Sequence, residues 1–199
     1  MLSPYYVMMR PQNNTACDAV MALKPTIYKF DITLSDMDRN HYSNIPLTVA
    51  QHPSETLERM MVRVLAYCLN ASEHLAFTAG LSTPDSPDIN AIGLDGQFLH
   101  WIDVGEPTFD RIKKATRQAS DVAVYTFNSK SDVWWSQVKS DFSAVKASVY
   151  QFDWEQVQSL AKLCERKMDV SVSVSDQVLF IAAEKGEVEL PVVCLQSVN

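Results

Sequence analysis

The chain predicts an α/β fold built on a mixed β-sheet flanked by helices, and three observations carry that expectation. Apolar and polar residues alternate over residues 27–34 and again over 170–174, the period of half-buried strands. Apolar residues recur at three- and four-residue spacing from Leu57 to Cys68, which lays one stripe along a helix. Residues 122–127 (VAVYTF) form an unbroken run of strand-favouring residues, as a central strand covered on both faces requires.

The elements follow in order. Ile27, Lys29, Asp31 and Thr33 alternate with Tyr28, Phe30, Ile32 and Leu34, and a second extended run passes through Ile45, Leu47 and Val49. With the polar tip SDMDRN (35–40) between them, they predict a β-hairpin. Pro53 and Ser54 suit a helix start, and the stripe from Leu57 to Cys68 is its buried side, with Glu55, Glu58, Arg59 and Arg63 opposite. Residues 81–88 (LSTPDSPD) read as a loop. Strands at Ile89–Leu94 and Phe98–Val104 are joined by Asp95-Gly96, a hairpin turn signal. Gly105-Glu106-Pro107-Thr108 ends the strand and opens a second helix that buries Phe109, Ile112, Ala115 and Ala119. Helices at 130–142 and 153–167 surround a strand at 147–152. The tail reads as a β-meander over 170–174, 178–181 and 188–193, with turns at Asp176-Gln177 and Lys185-Gly186. The order is ββ-α-β-ββ-α-β-α-β-α-βββ, in which antiparallel hairpins sit beside crossover connections.

Composition narrows the function. The 199 residues carry 17 Lys+Arg against 24 Asp+Glu, a formal charge of -7, which disfavours global adhesion to nucleic acid and leaves only a local basic patch for that purpose. No stretch approaches the ~20 apolar residues of a membrane span. Cys17, Cys68, Cys164 and Cys194 are far apart with no Cys-x-x-Cys pair, a pattern that suits reduced thiols in the cytoplasm. Residues 1–20 show neither helical nor strand periodicity and no signal-peptide pattern. They are expected to be a disordered arm or the product of an upstream start codon, with 21–199 as a single domain.

Three constellations could carry chemistry. In His52–Arg59, Glu55 and Arg59 stand one turn apart, as do Arg59 and Arg63, so bridges at i,i+4 are expected. The acids there are either a solvated first turn favoured by the helix dipole, or a source of one glutamate aimed over the sheet at a metal. Asp88 and Asp103 flank the second hairpin. A carboxylate at the end of an apolar strand needs a partner, hydrogen bonds or a metal. The pair could hold Mg²⁺, or Asp103 could simply cap the next helix. Arg111, Lys113, Lys114 and Arg117 place four cations in seven residues, forming either a phosphate-binding patch or a solvated helix face. The four histidines lack metal-ligand spacing. No Walker loop or Gly-x-Ser-x-Gly is present, and five glycines could scarcely build a phosphate cradle. Trp134 and Trp135 suit packing.

Several segments are distinctive together: MALK (21–24) with TIYK (26–29), HPSETLERMM (52–61), WIDVGEP (101–107) leading into RIKKA (111–115), and VAVYTFNS (122–129) followed by Trp134-Trp135. They resemble the YaeQ family of small bacterial proteins, over about residues 21–195, and place the natural start at Met21. The resemblance implies a PD-(D/E)XK nuclease-like core, of restriction-endonuclease type, carrying an added N-terminal hairpin and C-terminal β-meander. In that superfamily an acid opens the second core strand, a (D/E)-x-K triplet lies on the third, and the first core helix often adds a glutamate. Carried over, Asp88 takes the first position and Asp103-Val104-Gly105 takes the triplet, while Glu55 or Glu58 supplies the helix acid. Asp88, Asp103, Glu55 and Glu58 are thus the candidate Mg²⁺ ligands.

Gly105 stands where the superfamily has lysine, so Lys113 or Lys114 would have to reach back. The expected function is therefore a degenerate nuclease-like module that binds nucleic acid or a protein partner. The alternative is a Mg²⁺-dependent phosphodiesterase using Asp88, Asp103 and Glu58, with Lys113 or Lys114 stabilising charge on the phosphate.

Overall fold

The computed structural model describes residues 24–78 and 86–198. The expected arm at 1–20 and most of the expected loop at 81–88 lie outside the described residues. Among these residues no helix is long and apolar enough to cross a membrane.

Strands β1 (Thr26–Asp36) and β2 (His41–Gln51) pair antiparallel with Ile32 opposite Ile45. Their alternation sends Phe30, Ile32, Leu34, Leu47 and Val49 inward. The turn between them ends at Asn40, whose φ of 54° suits a short polar side chain. Strands β8 (Lys167–Ser175), β9 (Val178–Ala183) and β10 (Gly186–Pro191) form the expected meander, and β8 lies parallel to β1 with Ile32 beside Val170. The N-terminal hairpin and the C-terminal meander therefore fuse into one mixed sheet of order β10-β9-β8-β1-β2.

A second sheet holds β3 (Leu75–Phe77), β4 (Ile89–Ile92), β5 (Phe98–Val104), β6 (Ala119–Thr126), β7 (Ser148–Gln151) and β11 (Val193–Gln196), in the order β11-β7-β6-β5-β4-β3. β3, β4 and β5 are antiparallel neighbours, whereas β5, β6 and β7 are parallel. The two parallel crossovers carry α2 (Phe109–Ala115) and α3 (Ser131–Phe142). The expected single sheet is thus corrected to two, because alternation marks a strand without saying which edge it joins.

Helices α1 (Leu57–Leu69) and α4 (Trp154–Leu163) belong to the larger core. There Met60, Met61, Leu65, Val157 and Leu160 pack with Phe30 and Ile32 of the first sheet and Ile102 of the second. On the other side of the second sheet, Ile112 and Ala115 of α2 and Phe142 of α3 cover Trp101, Val122, Val124 and Val149. β6 contributes Ala123 and Tyr125 to one core and Val122 and Val124 to the other. That is the physical origin of its unbroken apolar run. Trp134 and Trp135 meet Phe142 edge-on at 5.7 and 5.8 Å, so both indoles pack.

Some boundaries move. Helix α1 starts at Leu57 because Thr56 is its cap, with Oγ1 accepting from the Arg59 amide at 3.2 Å. Pro53 and Ser54 precede it in a turn closed by the Glu55 amide on the His52 carbonyl. Helix α2 ends at Ala115, so Ala119 opens β6 instead of lining a helix, and α4 ends at Leu163 instead of 167. The expected strand at 188–193 divides. Pro191 has no amide with which to continue a ladder, the Val192 amide turns to the Gln177 carbonyl at 2.8 Å, and β11 crosses to the other sheet.

Candidate functional site

The first turn of α1 faces the point where β4 begins and β5 ends. The Asp88 amide donates to the Ile102 carbonyl at 3.0 Å, extending the β4–β5 ladder by one residue. Asp88 and Asp103 are 5% and 3% exposed. Both line a cleft of about 570 Å³ together with Arg59, Gly105, Glu106 and Arg111.

Each carboxylate has its own arginine. Arg59 Nη2 lies 2.7 Å from both Asp88 oxygens and 3.2 Å from the Val104 carbonyl. The Val104 amide donates to Asp88 Oδ2 at 2.8 Å. Arg111 grips Asp103 through both its Nε and its Nη2, at 2.7 and 2.8 Å, and donates to the Ser86 carbonyl at 2.7 Å. Such two-point pairs are short and charge-assisted. Burial works against the charge on Arg59, but the Asp88 and Glu55 carboxylates overcome it and hold the guanidinium above its ordinary value.

Glu55 closes the network from beneath. Its carboxylate receives Arg59 Nη1 at 2.7 Å and Arg63 Nε and Nη2 at 2.8 and 2.7 Å. The expected Glu55–Arg59 bridge at i,i+4 is present. The expected exposure of this face is corrected, since Glu55 and Arg63 are 7% and 2% exposed. Two buried ions can coexist there because each satisfies the other.

The remaining candidates lie elsewhere. Glu58 is half-buried in the first turn of α1 and Glu55 is buried behind Arg59, and neither lines the cleft. Lys113 and Lys114 are exposed on α2 and are absent from the lining, with Lys113 Nζ 5.5 Å from the Phe109 ring centroid. Arg111, on the same helix, is the cation that turns into the cleft. Gly105 adopts φ +116°, so the backbone itself departs from an ordinary strand just after β5. Among the described residues, no three His, Cys, Asp or Glu side chains gather as a metal-holding group. Arg59 and Arg111, expected only as an intrahelical bridge and part of a cationic patch, are the site residues whose pairing with Asp88 and Asp103 motif reading missed. The signal for them was the desolvation cost of Asp88 and Asp103, which calls for cations.

Known proteins agree on one relationship. The family described as "YaeQ protein" matches residues 21–192. The "Uncharacterized protein YaeQ" of Escherichia coli (strain K12) is 39% identical over 176 residues, which are 85% of this chain and 95% of the relative. Its counterpart in Salmonella typhi is 38% identical over 182 residues, 88% and 98% of the two chains. The crystal structure of YaeQ protein from Xanthomonas axonopodis pv. citri superposes with a TM-score of 0.85 at 34% identity, covering 87% of this chain and 99% of that one. The Pseudomonas syringae YaeQ structure gives 0.83 at 34% identity, covering 87% and 97%. With the family profile, the identities and the superpositions all spanning most of the sequence, this chain belongs to the YaeQ family.

Proposed function

We propose that the protein is a non-catalytic member of the PD-(D/E)XK nuclease-like fold that binds nucleic acid on the cationic face of α2, beside the cleft. The connectivity α1–β3–β4–β5–α2–β6 supports the fold reading. It puts Asp88 at the head of the second of three antiparallel strands and Asp103 on the third, where the resemblance locates the acids. The observation that carries the non-catalytic reading is Arg59. Its Nη2 contacts both Asp88 oxygens and the Val104 carbonyl, oxygens of the kind a hard divalent cation would need. Arg111 takes both oxygens of Asp103. As arranged, the donor set does not fit Mg²⁺, because the guanidinium groups already satisfy it. Binding is supported by α2, whose exposed Lys113 and Lys114 are followed by exposed Arg117, a local cationic face suited to phosphates despite the net charge of -7.

A second reading, the Mg²⁺-dependent phosphodiesterase, is favoured by one observation: Asp88 and Asp103 line the same cleft. Calorimetric titration of Mg²⁺ and Mn²⁺ into the whole chain and its Asp103→Ala variant separates the two. The non-catalytic reading expects no saturable binding to either. Binding by the parent that Asp103→Ala abolishes, with metal-dependent cleavage of DNA or RNA, would establish the phosphodiesterase instead. Fluorescence anisotropy with labelled oligonucleotides tests the partner. Affinity should fall steeply with salt and drop in Lys113→Ala/Lys114→Ala, whereas no oligonucleotide binding would leave a protein as the partner.

A further inference from the structure

At the other end of α1 lies a second cavity of about 620 Å³, walled by residues of both sheets. By helix rise, Asn70 stands about 16 Å along the axis from Arg59, so this cavity is separate from the acidic cleft. Its volume falls within the range of small-molecule sites.

Two polar groups in it are incompletely used. The Asn70 Nδ2 donates to the Ala66 carbonyl and to Tyr125 Oη, both at 2.7 Å. The Ala66 contact fixes which end of the amide faces inward, because a carbonyl accepts only from the nitrogen. Tyr125 Oη is therefore an acceptor from Asn70, and its own proton must go elsewhere. Tyr125 is 3% exposed, and no acceptor for that proton occurs among the described residues. Asn70 Oδ1 likewise has no donor among them. Both residues line the cavity. Burial pushes the Tyr125 phenol up, so the hydroxyl remains a donor at neutral pH. A buried donor without an acceptor costs free energy unless a ligand or water completes it.

Beside this pair the wall is mixed, with aromatic and apolar residues set among polar ones such as Asp38, Ser72, His100 and Gln177. Tyr150 stacks on Tyr125 with centroids 5.1 Å apart and planes at 21°, and Leu69, Val174 and Val192 are the aliphatic part of the lining. The nearby cation is already committed, since Arg39 holds Asp36 at 2.6 Å and donates to the Cys68 carbonyl at 3.1 Å. Asp38 accepts from the Asp176 and Gln177 amides at 2.8 and 2.9 Å, and His100 Nδ1 lies 3.0 Å from Asp121, so a charged ligand finds no free partner.

We propose that this cavity is a binding site for a small, planar, uncharged heterocycle with a cis-amide edge. Its carbonyl accepts from the Tyr125 hydroxyl, its ring N–H donates to Asn70 Oδ1, and its plane lies against the Tyr150 wall. The Tyr125 hydroxyl and Asn70 Oδ1, both left incomplete, set the edge, and the stacked Tyr125–Tyr150 pair sets the ring.

Uracil is the probe, with 1,3-dimethyluracil as a control that keeps the carbonyls but has no N–H. Titration of the whole ¹⁵N-labelled chain by NMR should show saturable uracil binding with shifts centred on Asn70, Tyr125 and Tyr150, and much weaker binding of the dimethyl compound. Tyr125→Phe should weaken uracil by roughly tenfold, the loss expected for one buried hydrogen bond. The proposal is overturned if uracil does not bind, if both compounds bind equally, or if Tyr125→Phe leaves the affinity unchanged. The dimethyl comparison on the parent chain keeps the test decisive should the variant fold poorly.

Discussion

Arg59 grips Asp88 from 29 residues away, with one guanidinium nitrogen 2.7 Å from each carboxylate oxygen. The same guanidinium holds Glu55, which in turn holds Arg63. Three elements are joined by this chain of charges: the turn before α1, α1 itself and the head of β4. Glu55, Arg63 and Asp88 are withdrawn from water, so each relies on its partner in the chain.

Glu55→Gln tests that dependence. It leaves the fully buried Arg63 without its carboxylate and removes one of the two acids that balance Arg59. Breaking a buried pair in this way typically costs about 3–5 kcal/mol, which urea unfolding should resolve. Glu58→Gln is the control. Glu58 shares the first turn of α1 but is only half-buried, so its loss should stay within about 0.5 kcal/mol, as for ordinary surface sites. Equal effects from the two substitutions would show that the buried network does not contribute as argued.

The contrast between these two glutamates also shows where sequence reading stops. The stripe of α1, the apolar run of β6 and both hairpins are local patterns, so each could be read from spacing. Asp88 and Asp103 could also be read, since acids beside apolar strands are conspicuous. Which glutamate goes inward could not, because it depends on Arg63 two turns on and on the carbonyl of Ala50 that Arg63 also meets at 3.2 Å. The same limit applies to residues 111–117, where four cations lie within seven residues. Only the tertiary placement of α2 beside β5 turns Arg111 toward Asp103 and leaves Lys113 against Phe109. The partition into two sheets was hidden for a related reason: the β1–β8 pairing joins segments more than a hundred residues apart, and nothing in either strand names the other.

Gly105 gives a prediction about backbone in place of charge. It sits at φ +116°, a region that costs a side-chain-bearing residue about 1–3 kcal/mol, while a Cβ built there meets nothing within 4 Å. Gly105→Ala should therefore destabilise by that amount without a steric clash. Gly105→Lys should be destabilised similarly, since the strain is in the backbone and not in the length of the side chain. If either variant is as stable as the parent by thermal unfolding, the turned backbone is not what bars a lysine from this position.

The cysteines provide the pH-dependent prediction. Burial pushes the Cys68 thiol up to about 12, and burial together with the neighbouring Glu165 pushes Cys164 up to about 11. An unfolded thiol titrates near ~8.5, so above that pH the unfolded chain has released protons that the native chain still holds. The stability from keeping these thiols neutral is complete below about pH 8.5 and is lost as pH rises toward their native values. Urea midpoints should accordingly fall on going from about pH 8 to about pH 11, less steeply in Cys68→Ala. Reactivity should follow the same order, because only the thiolate attacks. At about pH 8, Cys194, exposed on β11, should be alkylated in the native protein, and Cys68 only after unfolding, as peptide mapping would show. Native labelling of Cys68 at the rate of Cys194 would mean that α1 opens readily, contrary to the packing and ion pairing that hold it between the two sheets.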